Sequence, residues 1–204
     1  MRHRLDRPLD ISFVIDALVN ANMAAAGLPH DPMEALSLPD EFSGVPDTDH
    51  IGVLGHSFGA FAAHAVGGAV FAPTMGVREF RDPRVDAIVV IAPQGKDRYG
   101  CFDKGEANNS WTDVVVPSYV IVGGRDLPDW RRRPFDRYPA TGNKFLTIGK
   151  AQSHSGIADY GDPNVRRFID LNTALFLHTY LRGGKDAERI GQLSSPNGWK
   201  LERK

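Results

Sequence analysis

Apolar residues recur along this chain in two rhythms. Val85-Asp-Ala-Ile-Val-Val-Ile-Ala-Pro93 and Pro117-Ser-Tyr-Val-Ile-Val-Gly-Gly-Arg-Asp126 are largely β-branched runs without polar alternation, the pattern of strands covered on both faces in a parallel sheet. Ile51-Gly-Val-Leu-Gly-His56 reads as a third strand, and Asn143-Lys-Phe-Leu-Thr-Ile148 as a shorter fourth. Elsewhere the period is helical. Ile11, Val14, Ile15 and Leu18 fall at i, i+3, i+4 and i+7, which predicts an amphipathic helix over 8–18 with Pro8 in its first turn. Val165, Phe168, Ile169, Leu175 and Phe176 form the stripe of a long final helix from 162 to about 182, opened by Asp162-Pro163 and stopped by Gly183-Gly184. An alanine-rich helix is expected from 60 to about 70. Residues 24–50 read as connection, with one short helix at Asp31-Pro-Met-Glu34, and the polar tail from Lys185 is expected to pack loosely.

Strands that alternate with helices predict one α/β domain over residues 1–204, with a parallel sheet of strands 51–56, 86–92, 117–123 and 143–148 flanked by helices on both faces. In such sheets, sites form outside the carboxyl ends of the strands. Three reactive groups fall at those ends. Ser57 sits in Gly55-His-Ser-Phe-Gly59, a G-x-S-x-G turn between a strand and a helix, which is the form of a nucleophile elbow. A turn that tight calls for glycine two residues before the serine and two after. Asp126 ends Gly123-Gly-Arg-Asp, and His154 lies in Ala151-Gln-Ser-His-Ser-Gly156 after the last strand. A serine hydroxyl becomes an effective nucleophile only when a base takes its proton, and a histidine in that role needs a carboxylate to orient it. The order Ser, Asp, His suits that arrangement on an α/β sheet.

Composition narrows the partners. With 42% hydrophobic and 24% charged residues and a net charge of −1, the chain offers no electrostatic case for nucleic acid or an anionic membrane surface, and a neutral small molecule is the expected ligand. No apolar run is long enough for a membrane span, and no signal-peptide pattern is present. Cys101 is the sole cysteine, which excludes an internal disulfide and a cysteine-based zinc site; its loop setting reads as an incidental thiol. His56, His64 and His178 are expected to be structural, and the spacing of His30 and His50 fits no zinc pattern, so neither a metal nor a cofactor is expected.

The elbow, the opening Asp6-Arg-Pro-Leu-Asp-Ile-Ser-Phe-Val-Ile-Asp16, the Gly123-Gly-Arg-Asp126 turn and the Ser153-His-Ser-Gly156 turn together resemble the predicted dienelactone hydrolase branch of the α/β hydrolases. That branch is similar to platelet-activating-factor acetylhydrolases and to cutinase-like esterases. The resemblance implies serine carboxylester hydrolysis of short esters, with Ser57, Asp126 and His154 as triad and the backbone NH of Phe58 as one oxyanion donor. Dienelactone hydrolases proper carry cysteine at the nucleophile position, whereas this chain carries serine. It also implies a sheet of about eight strands, so that this chain corresponds to the C-terminal part of the fold, from the helix before the fifth strand. The His-Gly-rich loop that gives the family its second oxyanion NH has no counterpart before Ser57, and a leader could be lost with the missing part. Without those strands the edge at 51–54 is expected to be covered by a homo-oligomer or by the segment 24–50. The alternative reading is a non-catalytic remnant that binds a partner across the open edge.

Overall fold

The strands assemble in chain order, β1 (Ile51–His56), β2 (Val85–Ile91), β3 (Ser118–Gly123), β4 (Lys144–Gly149) and β5 (Trp199–Arg203) lying side by side in one sheet. The computed structural model describes residues 2–31, 46–72, 76–97, 101–104, 108–158 and 161–204, and side chains from Leu5 onward. The proposed short helix at 31–34 therefore falls largely outside the described residues. β1 to β4 are parallel, as their uninterrupted apolar sequences require, and each begins or ends within one residue of the span read from sequence.

Helices cover both faces. On one, α1 (Arg2–Ala25) and α2 (Phe58–Val66) pack against Ile88, Val90, Val120, Val122 and Leu146. On the other, α5 (Pro163–Arg182) lays Val165, Phe168, Ile169 and Phe176 over Val89, Tyr119, Ile121 and Phe145. Alternate residues of each strand supply the two cores, which is the period-two rule acting on strands that have no solvent face. Asp162 caps α5 by accepting from the Asn164 amide at 2.7 Å, and Gly183 closes it in the left-handed region. Two short helices follow β3, α3 (Pro128–Arg131) and α4 (Arg133–Arg137).

Two expectations are corrected. Helix α1 starts at Arg2, so Pro8 lies inside it rather than in its first turn. Pro8 has no NH to give the Arg4 carbonyl, and the buried ring is tolerated because α1 is held by tertiary contacts, including Arg84 to Asp16 at 2.6 Å. The tail from Lys185 does not pack loosely. It returns as β5, antiparallel to β4, with Ile190 fully buried, the Trp199 ring tilted against the Phe168 ring at 4.3 Å and Glu202 gripped by both terminal nitrogens of Arg132 at 2.9 and 2.7 Å. Its sequence hid this because an edge strand with one exposed face reads as polar.

β4 begins with a lysine that is wholly buried. Lys144 donates its ammonium to the Val116 carbonyl and lies over the Tyr138 ring, and burial, helped by Lys204, pushes its pKa down to about 7. The unfolded lysine stays protonated to a higher pH. Between about pH 7 and pH 10 the unfolded chain therefore holds more protons, and stability rises with pH through that window; below pH 7 the full penalty of a buried charge persists. Lys144→Met is expected to stabilise the protein by on the order of 1–3 kcal/mol at pH 6, with the gain fading towards pH 10. Thermal melts at pH 6, 8 and 10 check this, and a pH-independent difference would contradict it.

Candidate active site

The carboxyl ends of β1, β3 and β4 bring the three sequence-derived residues together. Ser57 follows β1 directly and takes φ 54° and ψ −116°, a conformation costly for a residue with a Cβ. Neighbouring elements hold it there. The Ser57 amide donates to the Ile91 carbonyl at 2.9 Å, and the Ser57 carbonyl accepts from the Ala60 amide at 3.0 Å and from the Gln94 side chain at 2.9 Å. The reversal is possible because β1 passes α2 at backbone contact: a Cβ on Gly55 would lie 2.2 Å from the carbonyl carbon and oxygen of Gly59. The requirement for glycine falls on Gly55 alone. A Cβ on Gly59 would meet nothing within 4 Å, contrary to the expectation that both flanking glycines are sterically required.

Two glycine-dependent turns then align the acid with the histidine. A Cβ on Gly123 would stand 2.5 Å from the Gln152 carbonyl, and one on Gly124 would stand 2.6 Å from the Lys150 carbonyl. Without side chains, the exit of β3 lies flat on the loop after β4, joined by Gly124 N to Gly149 O at 2.8 Å and Arg125 N to Gln152 O at 2.9 Å. Asp126 and His154 are thereby fixed against each other. His154 Nδ1 lies 2.7 Å from Asp126 Oδ2, and His154 Nε2 lies 2.9 Å from Ser57 Oγ. With Nδ1 donating to the carboxylate, Nε2 carries the lone pair that faces the hydroxyl.

Phe58 is the first residue of α2, so its amide has no acceptor within the helix and belongs to the helix's positive end, beside Ser57. Its ring stacks on Phe61 at 5.4 Å and lies beneath Arg7 of α1 at 5.7 Å.

Three contributors escaped the sequence reading. His56, between the glycine and the serine, faces the Ser153-His-Ser-Gly156 turn: its Nε2 donates to the His154 carbonyl at 3.1 Å and its ring lies 4.7 Å from the His154 ring. Burial, above all, lowers the His56 pKa, so the ring stays neutral and serves as a brace. Gln94 anchors the Ser57 carbonyl from the end of β2, a position that strand-end reasoning could have flagged. Arg131 of α3 is buried; its Nε lies 2.6 Å from Asp126 Oδ2, as an ion pair without hydrogen-bond alignment, and its Nη2 lies 3.2 Å from His154 Nδ1. Nothing in the sequence distinguishes it from the neighbouring Arg132 and Arg133.

The remaining candidates stay apart from this centre. His64 is buried and bonded to the Tyr138 hydroxyl, its pKa pushed down to about 3 by burial. His50 pairs with Asp47 at 3.0 Å on the surface, His30 lies 2.9 Å from the Leu28 carbonyl, and His178 is exposed on α5. Cys101 lies buried in its turn. Asp159, the nearest substitute acid by sequence, lies outside the described residues. Among the described residues no helix is long and apolar enough to cross a membrane. No protein-family model matches the chain, and no match was found among curated proteins.

Proposed function

We propose that the chain is a serine carboxylester hydrolase with an α/β-hydrolase type of centre, acting on short esters through an acyl-enzyme. The observation that carries the reading is the continuous path from Ser57 Oγ through the His154 ring to Asp126, with contacts of 2.9 and 2.7 Å. In this mechanism His154 Nε2 takes the Ser57 proton as Oγ attacks the ester carbonyl. Asp126 holds the ring in the correct tautomer and stabilises the imidazolium. The Phe58 amide and the α2 dipole face the developing oxyanion, and His154 then returns the proton to the leaving alcohol. Water repeats the sequence in reverse to release the acid. A site working with one oxyanion donor of the usual pair lacks about 3 kcal/mol of transition-state stabilisation, which favours activated esters with good leaving groups. Covalent labelling of Ser57 by a fluorophosphonate, blocked by Ser57→Ala, tests the proposal; a chain left unlabelled would refute it.

A specific feature also supports self-association as part of this reading. Among the described residues β1 is an edge strand, and between it and α1 runs a trough of about 470 Å³ lined by Ile11, Val14, Ile15, Leu18 and the 51–54 segment. Leu54 and Val14 are about half exposed there, and the strand carries no lysine, proline or inward charge to discourage pairing. Light scattering behind size exclusion at micromolar concentration is expected to give more than a monomer mass, reduced to monomer in Ile51→Lys. A wild-type monomer would remove this part of the proposal and leave the ester chemistry untouched.

A further inference from the structure

Arg131 touches two members of the Ser57, His154 and Asp126 chain at once, and it also ties a third segment to them. Its Nη1 donates to the carbonyls of Ala92 at 2.5 Å and Pro93 at 2.8 Å, just beyond β2, where Ala92 itself is held at a φ of 49°. The neighbouring Trp130 docks on the same segment, its indole NH donating to the Lys96 carbonyl at 2.7 Å. Gly95 makes room, since a Cβ there would stand 1.8 Å from the Trp130 carbonyl oxygen. α3 is thus pressed onto the loop that also carries Gln94, the anchor of the Ser57 carbonyl.

We propose that Arg131 is the positioning residue of this centre: one guanidinium that holds the Asp126 carboxylate and the exit of β2 in fixed register with the His154 ring. The inference rests on the serine-hydrolase reading above and deepens it. A buried cation is costly unless carboxylate and carbonyl oxygens surround it, and here it has both. Its choice of oxygen is informative. Arg131 Nε and His154 Nδ1 approach the same atom, Asp126 Oδ2, so the carboxylate cannot rotate without giving up both contacts. Nη2, 3.2 Å from Nδ1, could donate there only if Nδ1 had lost its proton; that tautomer would aim an N–H at Ser57 Oγ and could not accept the hydroxyl proton. Asp126 therefore keeps the ring in the productive tautomer, and the adjacent guanidinium keeps Asp126 in place.

The titratable or charged groups that face His154 among the described residues are Asp126 from the exit of β3, Arg131 from α3 and His56 from β1. His56 is held neutral mainly by its burial, and it shares a recess with Arg166 and Asp170 of α5. Arg131 is thus the positive charge set against the imidazole, and it partly offsets the negative charge of Asp126.

The test compares wild-type protein with Arg131→Met and Arg131→Lys by kcat and KM for p-nitrophenyl acetate hydrolysis, with melting curves and fluorophosphonate labelling on each. Arg131→Met is expected to lower kcat about tenfold with KM nearly unchanged, through loss of register. Arg131→Lys is expected to lose kcat by about as much, again with KM nearly unchanged, because an ammonium cannot span Asp126 and both carbonyls. A folded Arg131→Met protein with unchanged kcat overturns the role of Arg131 alone. If Arg131→Met does not fold, a folded Arg131→Lys protein with the wild-type kcat overturns it equally. Wild-type protein that neither labels nor hydrolyses the ester overturns the serine-hydrolase reading and this inference with it.

Discussion

Ser57→Ala and His154→Ala are each expected to remove ester turnover by roughly four to six orders of magnitude, and the double variant to lose no more than either alone, because members of a triad act as a unit. The reason is visible in the contacts. Ser57 Oγ lies 2.9 Å from His154 Nε2, so a methyl at position 57 leaves no hydroxyl for the base to activate. Without the imidazole, in turn, the hydroxyl keeps its proton. Asp126→Asn is expected to lose about 10³–10⁴-fold. An amide NH₂ facing Nδ1 would favour the tautomer with its proton on Nε2, and it would leave the buried Arg131 without its carboxylate. Steady-state hydrolysis of p-nitrophenyl acetate, with melting curves to certify folding, measures all three. Turnover retained in Ser57→Ala would remove the serine mechanism, whereas activity retained in Asp126→Asn would move only the acid role.

Gly55→Ala is expected to be the most disruptive small substitution for the fold. The added carbon would stand 2.2 Å from the backbone of Gly59 and 2.7 Å from the Ala60 amide, and no rotamer change relieves contact with backbone. Relief requires α2 to move off β1. That helix carries Ala60, Phe61, Ala63 and Val66, all fully buried in the core on its side of the sheet. A loss of more than about 3 kcal/mol is expected, together with a fall in melting temperature of roughly 10 °C and loss of activity. Gly59→Ala is the matched control. Its Cβ would enter open space on a helix where alanine outranks glycine, so stability should hold or rise by up to about 1 kcal/mol. Equal melting temperatures for the two variants would mean that the strand and helix are not in backbone contact at the turn.

The parallel sheet was legible because its strands are buried on both faces, so that their sequence is apolar throughout and their order follows the chain. Ser57, Asp126 and His154 were legible because loop residues immediately beyond such strands have one place to go. What failed were features defined by their surroundings. The start of α1 passed unnoticed because tertiary contacts hold a helix through a proline that propensity would place at its beginning. β5 passed unnoticed because a half-exposed edge strand has the composition of a tail.

The sequence by itself determined an α/β chain with a serine elbow and with an acid and a histidine at matching strand ends, since burial periodicity and glycine spacing are local properties. The tertiary structure alone decided which glycines are sterically required, that His56 and Gln94 brace the turn, and that Arg131 rather than Arg132 or Arg133 meets Asp126. Apart from the Gly55–Gly59 contact within the turn and the Asp126–Arg131 pair across α3, those choices depend on distances between residues 23 to 98 apart in the chain, and residue order carries no record of them until the sheet brings its carboxyl ends together.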